Sequence, residues 1–362
     1  MSAPRYLAMV AATAALCFAL VWGWVAAAPL AYLDPEYPAW LAKIELLRSC
    51  DLGEVVVVGD SRAAVGILPA LLPVKTTNLA VGGGHSVEAY EAVRRALACP
   101  APPRRVIVSL VPEHFMAPDL FWERSVRFGF MDGAALAGLR RIGARLGDTS
   151  LDMPKRDDGL TPALRATLYR WRFPTLYVDS LLKSGGFLRL AQNRRTLAAV
   201  LAARGQYFFG TANGSSVVAA EGRLARFTPL PVMDVYFDRM LTLLAARGIP
   251  ADFVAMPLNE ATWARISPAL RDGFAAYLAG YASRYPDFHV AQPQMPHWPD
   301  MAFGDGFSHL NPAAAARFSI AFGAWLQQRM ADWDGGSKPA VLPGKIETAE
   351  SRSPRALYQP RP

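Results

Sequence analysis

Residues 54–61, EVVVVGDS, join four consecutive valines to a glycine, an aspartate and a serine. A short β-branched run without polar alternation is typical of a strand that is buried on both faces of a parallel sheet. The polar residues that follow predict a tight turn, which would present the Ser61 hydroxyl beyond the carboxyl end of the strand. Parallel sheets collect their ligands at this end. The simpler alternative is a structural turn in which Asp60 or Ser61 only caps the next helix.

The rest of the chain extends this pattern. Further strands are predicted over residues 76–80, 106–110, 251–256 and 288–290. Each is followed by a helical pattern, over residues 86–98 (with Ser86 as N-cap), 235–247, 268–284 and 312–330. Alternating strands and helices predict an α/β fold, with a mostly parallel sheet covered on both faces.

Two regions do not fit the alternation. Residues 116–230 hold helical stretches rich in Leu, Ala, Arg and aromatics, which predict a helical insertion into a core made of residues 45–115 and 231–332. Residues 333–362 are rich in Gly, Pro, Ser and alternating charges without an apolar period, so we predict a disordered tail there.

The amino terminus has a long apolar stretch. Residues 6–33 carry no formal charge over 28 positions and follow Arg5. Roughly 20 residues span a bilayer, whereas a cleaved signal peptide has an apolar core of roughly 7–15 residues. We therefore predict an uncleaved anchor over residues 1–33, with a cleaved signal peptide as the alternative. The flanking Arg5 predicts a single-pass protein whose amino terminus stays in the cytosol and whose remainder lies outside, which in a bacterium is the periplasmic side of the inner membrane.

The composition narrows the class of protein. The chain of 362 residues is 52% hydrophobic and 19% charged, which excludes overall disorder, collagen and coiled coil. Its net charge of +8 comes from 38 Lys and Arg against 30 Asp and Glu. In the predicted compartment we expect no nucleic-acid partner. Most of this charge is interpreted as solvated helix faces, and contact with anionic lipid or glycan is the alternative.

A serine nucleophile needs a base, and a neutral imidazole is the usual one. Five histidines are present, and His309 has the arrangement that this chemistry requires. In residues 304–312, GDGFSHLNP, Asp305 precedes it and a helix start follows. Asp305 could orient the imidazole. No cluster of residues has metal-ligand spacing, and no cofactor is expected.

Four phrases carry a family resemblance: GDSRAAVG, NLAVGGGHSVEAY, VAMPLNEA and FGDGFSHLNPAAAARFS, at residues 59–66, 78–90, 254–261 and 303–319. Their order resembles the SGNH (GDSL-like) hydrolase superfamily, and most closely its membrane-anchored bacterial branch with the alginate O-acetylation proteins and DltD. The resemblance implies a flavodoxin-like three-layer core, with a five-stranded parallel sheet in the order 2-1-3-4-5. It also implies chemistry on O-acyl groups of extracellular polymers.

The resemblance assigns roles to particular residues. Ser61 would be the nucleophile, His309 the base and Asp305 its orienting acid. The backbone of Gly83, or of a neighbour in residues 82–84, would complete an oxyanion hole with the Ser61 N–H. Arg62 and Trp298 are expected to line the substrate cleft.

The chain departs from the family pattern twice. The acid normally stands three residues before the histidine, but here that position is Gly306 and Asp305 stands four before. Asp300 is a second candidate for the acid. The asparagine of the third family motif is absent after the third strand, and His114 and Asn259 are the candidate replacements as oxyanion donors.

The implied strand order allows a disulfide to be predicted between two cysteines. Cys50 precedes the first predicted strand and Cys99 the third, and these strands are neighbours in the order 2-1-3-4-5. We predict a Cys50–Cys99 disulfide at the amino ends of the strands, opposite the catalytic edge.

The functional expectation is an anchored periplasmic serine esterase or O-acetyltransferase that acts on an acylated polysaccharide, together with a membrane O-acyltransferase. One alternative is a catalytically inactive glycan-binding or assembly module of a polysaccharide export or acetylation complex. A thioesterase is a third possibility.

Overall fold

The computed structural model describes residues 2–33, 35–153, 159–172, 188–292, 294–333 and 342. Chain contacts divide the protein into two units. The helical unit comprises Met1–Ile44 and Leu120–Leu201, and the sheet unit comprises Glu45–Asp119 and Ala202–Pro362. The predicted insertion of residues 116–230 is thus divided, because residues 202–230 group with the sheet.

The sheet unit has an α/β architecture. Its described strands are β1 (Val55–Gly59), β2 (Thr76–Asn78), β3 (Arg105–Ser109), β4 (Ala251–Phe253), β5 (Leu258–Asn259), β6 (Phe288–Val290) and β7 (His297–Trp298). Five of them form one sheet in the order β2-β1-β3-β4-β6, and every pairing in it is parallel. β5 and β7 form a separate parallel pair. The prediction of an α/β fold with a parallel five-stranded sheet is confirmed.

The valines of β1 explain why this strand is central. All four are fully buried, as expected for a strand with both faces covered. Val55 and Val57 belong to a core cluster that includes Phe318 and Phe322 of the last helix. Because β1 is paired on both sides, its carboxyl end lies between those of β2 and β3.

Helices connect the strands. In the sheet unit they are Ser61–Gly66, Ser86–Ala96, Glu113–Met116, Pro231–Ala245, Glu260–Trp263, Pro268–Arg284 and Pro312–Trp333, with short 3₁₀ turns at Pro69–Leu71, Ala220–Arg223 and Asp300–Ala302. One predicted cap is wrong. His85, not Ser86, is the N-cap of Ser86–Ala96, and its N–H donates to the Glu88 carboxylate at 2.9 Å. The Ser86 hydroxyl instead donates to the Met233 carbonyl at 2.6 Å.

The predicted disulfide is present. Cys50 and Cys99 are bonded, with their Cα atoms 5.5 Å apart. They precede β1 and β3, so the bridge lies at the amino ends of these adjacent strands. Of the predicted tail over residues 333–362, only Trp333 and Leu342 fall within the described residues.

The helical unit contains Ala3–Ala27, Pro29–Tyr32, most of Tyr37–Ser49, Gly133–Leu146, Pro162–Arg170, most of Leu188–Ala202 and a π-helical stretch at Phe121–Val126. Its parts are held together by polar contacts. Asn193 donates to the carbonyls of Leu30 and Leu33 at 2.8 and 3.1 Å, and Arg124 pairs with Glu36 at 2.7 Å.

The N-terminal apolar helix is confirmed. Ala3–Ala27 is 25 residues long, and within the described part of the chain it alone is long and apolar enough to span a membrane. A signal sequence shares this apolar composition and its position near the amino terminus.

Candidate active site

The turn after β1 depends on a glycine. Gly59 has a φ of +152°, and a Cβ atom there would lie 1.8 Å from the Ser109 carbonyl oxygen of β3. Only glycine permits this close approach. Asp60 then caps the next helix, because its Oδ1 accepts the Arg62 N–H at 2.9 Å. Ser61 consequently becomes the first residue of Ser61–Gly66, at the carboxyl end of the sheet.

The loop before the last helix carries His309. Asn311 holds the end of this loop, since its Nδ2 donates to the Met301 carbonyl at 2.9 Å and its Oδ1 accepts the Ala314 N–H at 3.0 Å. The Gly304 N–H donates to the His309 carbonyl at 2.7 Å, which closes the loop on itself. Ser308, with a φ of +58°, makes the turn that directs the next side chain.

The structure brings Ser61, His309 and Asp305 together. The Ser61 Oγ lies 2.7 Å from His309 Nε2, and His309 Nδ1 lies 2.6 Å from Asp305 Oδ2. The spacing of four residues between acid and histidine is accommodated by a turn, in which Asp305 Oδ1 accepts the Phe307 N–H at 2.9 Å. Phe209 stacks on the imidazole at 5.0 Å between ring centroids.

The surroundings of Asp305 favour its ionised carboxylate. Partial burial raises its pKa, but the hydrogen bonds from the His309 ring and from the backbone N–H groups of Phe307 and His309 outweigh this effect. The net pKa of Asp305 is therefore lowered. An ionised Asp305 holds a proton on His309 Nδ1 and leaves Nε2 as the acceptor that faces Ser61.

A second histidine lies beside a buried aspartate. Asp60 is buried, and its Oδ2 accepts the Val111 N–H at 2.7 Å and lies 3.4 Å from His114 Nδ1. Burial raises the pKa of Asp60 and lowers that of His114, but their mutual attraction reverses both effects. The net pKa is lowered for Asp60 and raised for His114, so each side chain favours its charged form.

A cavity of about 250 Å³ opens beside Ser61. Its walls include Arg62, Glu113, His114 and Arg223. Burial, together with repulsion from Glu221, raises the pKa of Glu113. The cavity therefore combines the candidate nucleophile with several ionisable groups, in a space smaller than the 300–1,000 Å³ or so of a typical ligand pocket.

Arg62, which was expected to line the substrate cleft, lies at this cavity, and its guanidinium is engaged in contacts within the protein. Its Nη2 pairs with the buried Glu221 carboxylate at 2.9 Å, and its Nε donates to the Phe307 carbonyl at 3.0 Å. Arg62 thus connects the Ser61 turn to the His309 loop. Sequence reasoning missed Glu221 and Phe209, because both come from the predicted insertion and no local motif marks them.

Asn259 does not fit the expected role of an oxyanion donor. Its Nδ2 donates to the carbonyls of Ser215 and Val217 at 2.9 and 3.0 Å, which uses both amide hydrogens. Its Oδ1 accepts from the Thr262 N–H and the Ser308 hydroxyl. Asn259 instead supports the loop that carries His309.

Trp298 does not line the cleft. It is 7% exposed and packs in the core, with its ring centroid 5.9 Å from that of Phe318. A large apolar ring just before a site loop can pack in the core as well as in a cleft, and here it packs in the core.

Gly83 adopts a φ of +67° but is not among the described residues that line the cavity. Asp300, the second candidate acid, accepts the Ala261 N–H at 3.1 Å.

A scan against protein-family models finds no match to this chain. A search of the curated proteins likewise finds no match.

Proposed function

We propose that the sheet unit is a serine acyl hydrolase or O-acyltransferase of the SGNH type. The observation that carries the proposal is the hydrogen-bonded series Ser61–His309–Asp305, with distances of 2.7 and 2.6 Å, beside a small cavity. The strand order also supports it. With the two-residue β5 set aside, the sheet follows the order 2-1-3-4-5 of a flavodoxin-like core.

In the proposed mechanism, the Ser61 Oγ attacks the carbonyl carbon of an acyl ester while His309 Nε2 takes its proton. The resulting tetrahedral intermediate collapses, the ester C–O bond breaks, and the imidazolium returns the proton to the departing alcohol. A water or sugar hydroxyl then attacks the acyl carbon while His309 takes its proton. The bond between the acyl carbon and the Ser61 Oγ breaks, and His309 returns the proton to Ser61. Asp305 remains ionised and stabilises the imidazolium throughout.

Stabilisation of the oxyanion falls to the Ser61 backbone and to His114. As the first residue of a helix, Ser61 has an N–H outside the helical hydrogen-bond ladder. The His114 imidazole lines the same cavity, and its raised pKa favours a protonated, donating ring. Gly83 remains the candidate that the family pattern supplies.

The proposed substrate is an O-acetylated polysaccharide. A cavity of about 250 Å³ suits a short acyl group, with the polymer remaining outside. The apolar helix Ala3–Ala27 supports anchoring in the bacterial inner membrane. A periplasmic sheet unit and a membrane O-acyltransferase as partner complete the proposal.

The test is labelling of the full chain in detergent with a serine-reactive fluorophosphonate, followed by an aryl-acetate hydrolysis assay. We expect labelling and hydrolysis for the wild type and for the control Ser283→Ala, which alters an exposed helical serine. Ser61→Ala should abolish both. Labelling that persists in Ser61→Ala would refute the assigned nucleophile.

A non-catalytic module is the second candidate, and the engaged amide of Asn259 favours it, because one family oxyanion donor is then missing. A wild-type protein that neither labels nor cleaves aryl acetates and acyl thioesters would support this alternative.

A further inference from the structure

Within the helical unit, the apolar helix Ala3–Ala27 contacts a second segment. The Trp22 indole N–H donates to the Trp171 carbonyl at 3.1 Å, and the two rings meet edge to face at 6.5 Å between centroids. Trp171 directly follows the helix Pro162–Arg170. This second helix is therefore held at the level of Trp22 along the apolar helix.

That level coincides with a membrane boundary if the apolar helix spans a bilayer. With a rise of 1.5 Å per residue, Trp22 lies roughly 29 Å along the helix axis from Ala3. The hydrocarbon core is about 30 Å thick, so Trp22 reaches its far edge. Trp24, 54% exposed, follows in the last turn. Tryptophans concentrate at such boundaries because their rings are apolar and their N–H groups are polar.

The second helix presents an apolar stripe to its surroundings. Leu164, Leu168 and Trp171 are spaced by four and three residues, so they share one face. Leu164 is 46% exposed and Trp171 63% exposed, while Leu168 is half-buried. The flanking Arg170 is exposed, and residues 159–172 contain no acidic side chain. An apolar face beside a positive charge suits the headgroup boundary of a phospholipid bilayer.

We infer that residues 162–171 form an interfacial membrane-contact helix, lying in the headgroup layer beside the end of the spanning helix. This inference rests on the proposed membrane anchoring and extends it. The stripe of Leu164, Leu168 and Trp171 would rest on the acyl-chain boundary, with Arg170 among the lipid phosphates. The helical unit would then touch the bilayer at two places.

The test uses the full chain in phosphatidylcholine–phosphatidylglycerol vesicles, with Cys17→Ser removing the free thiol and the Cys50–Cys99 bridge retained. Leu164→Cys carries an environment-sensitive fluorophore. Ala163→Cys is the matched control, since it is an exposed residue on the same helix but about 100° from the stripe. A spin-labelled lipid and a water-soluble quencher are compared, and resistance to alkaline extraction is measured separately.

We expect the lipid quencher to act about threefold or more strongly on the Leu164 probe than on the Ala163 probe. A chain that resists extraction while both probes respond equally, and mainly to the aqueous quencher, overturns the membrane-contact helix and leaves the anchor intact. A chain released by alkali overturns the anchoring, and the contact helix with it. If Leu164→Cys fails to fold, Trp171→Cys is the second probe site, with the same expectation.

Discussion

Two histidine–aspartate pairs lie close to Ser61, and they are built differently. His309 and Asp305 come from one loop, with 2.6 Å between Nδ1 and Oδ2, and the other ring nitrogen lies 2.7 Å from the Ser61 Oγ. Asp60 follows β1, His114 lies in the short helix after β3, and the two side chains lie 3.4 Å apart. The Asp305 side chain is 21% exposed and that of Asp60 is 1% exposed.

The difference lies in what else each aspartate does. Both oxygens of Asp305 serve its own loop and the His309 ring. Asp60 also accepts the backbone N–H groups of Arg62 and Val111, so it joins the carboxyl ends of β1 and β3. In the proposed mechanism, the loop-borne pair sets the proton acceptor for Ser61, whereas the buried pair joins two strand ends and His114 serves as the proposed oxyanion donor.

The largest expected effect is on the first pair. Asp305→Asn should lower kcat for aryl-acetate hydrolysis by about 10⁴-fold, because the neutral amide no longer stabilises the imidazolium and favours the wrong tautomer of His309. Asp300→Asn is the matched control and should retain nearly full activity. An Asp305→Asn enzyme close to wild-type activity would show that the pair is not part of the reaction.

Substitutions of His114 in the second pair should lower kcat less than Asp305→Asn does. His114→Ala should lower kcat by about 10²–10³-fold through loss of one oxyanion donor, with KM little changed. His114→Gln keeps a donor and should lose less. Equal kcat for wild type and His114→Ala would show that His114 does not stabilise the oxyanion, and backbone N–H groups would remain as the donors.

The connection between the Ser61 turn and the His309 loop can be tested through Glu221. Glu221→Gln removes the charge that pairs directly with the buried Arg62 guanidinium, and we expect a loss of about 3 kcal/mol in the free energy of unfolding. Glu54→Gln, which breaks the exposed pair with Arg104, should cost about 0–1 kcal/mol. Denaturant unfolding of the full chain in detergent gives both values. Similar losses for the two variants would contradict a special role for the buried pair.

The smallest expected effects are in the pH dependence of stability, where His114 and Asp305 should behave oppositely. Because the pKa of His114 is raised, its contribution is complete below its ordinary pKa near 6.5 and is lost as the pH rises through the folded value. Because the pKa of Asp305 is lowered, its contribution is present above its ordinary pKa near 3.8 and is lost as the pH falls through the folded value.

Thermal unfolding followed by circular dichroism from acid to alkaline pH provides the measurement. The difference in Tm between wild type and His114→Gln should shrink toward alkaline pH. The difference between wild type and Asp305→Asn should shrink toward acid. The same trend in both variants would contradict the opposite pKa shifts of His114 and Asp305.

Much of the fold followed from local patterns. The valine run of residues 55–58 predicted a doubly covered strand, and an apolar stretch without charge predicted the N-terminal helix. Helix Pro268–Arg284 has the bounds that its periodicity indicated. The cap at residue 86 was misplaced by one position, because Ser86 bonds to Met233, a residue far away in the chain.

The candidate site was only partly predictable. Ser61, Asp305 and His309 stand in short motifs, so they could be named as site candidates from neighbouring residues. Trp298 and Asn259 were misassigned because their types suit a cleft, and only packing and hydrogen bonds decided that they serve the core and a loop. No local sequence pattern around Glu221 predicts that it pairs with Arg62, because the two residues are 159 positions apart in the chain.

The sequence by itself determined the strand that precedes Ser61, the apolar helix at the amino terminus and the short motifs that contain Ser61, Asp305 and His309, since propensity and hydrophobic period act over a few neighbouring residues. The tertiary structure alone decided that 2.7 Å separates Ser61 from His309, that Asp60 joins two strand ends, and that Trp22 meets Trp171. These contacts join residues far apart in the chain, and only the packing of the folded molecule brings such residues together.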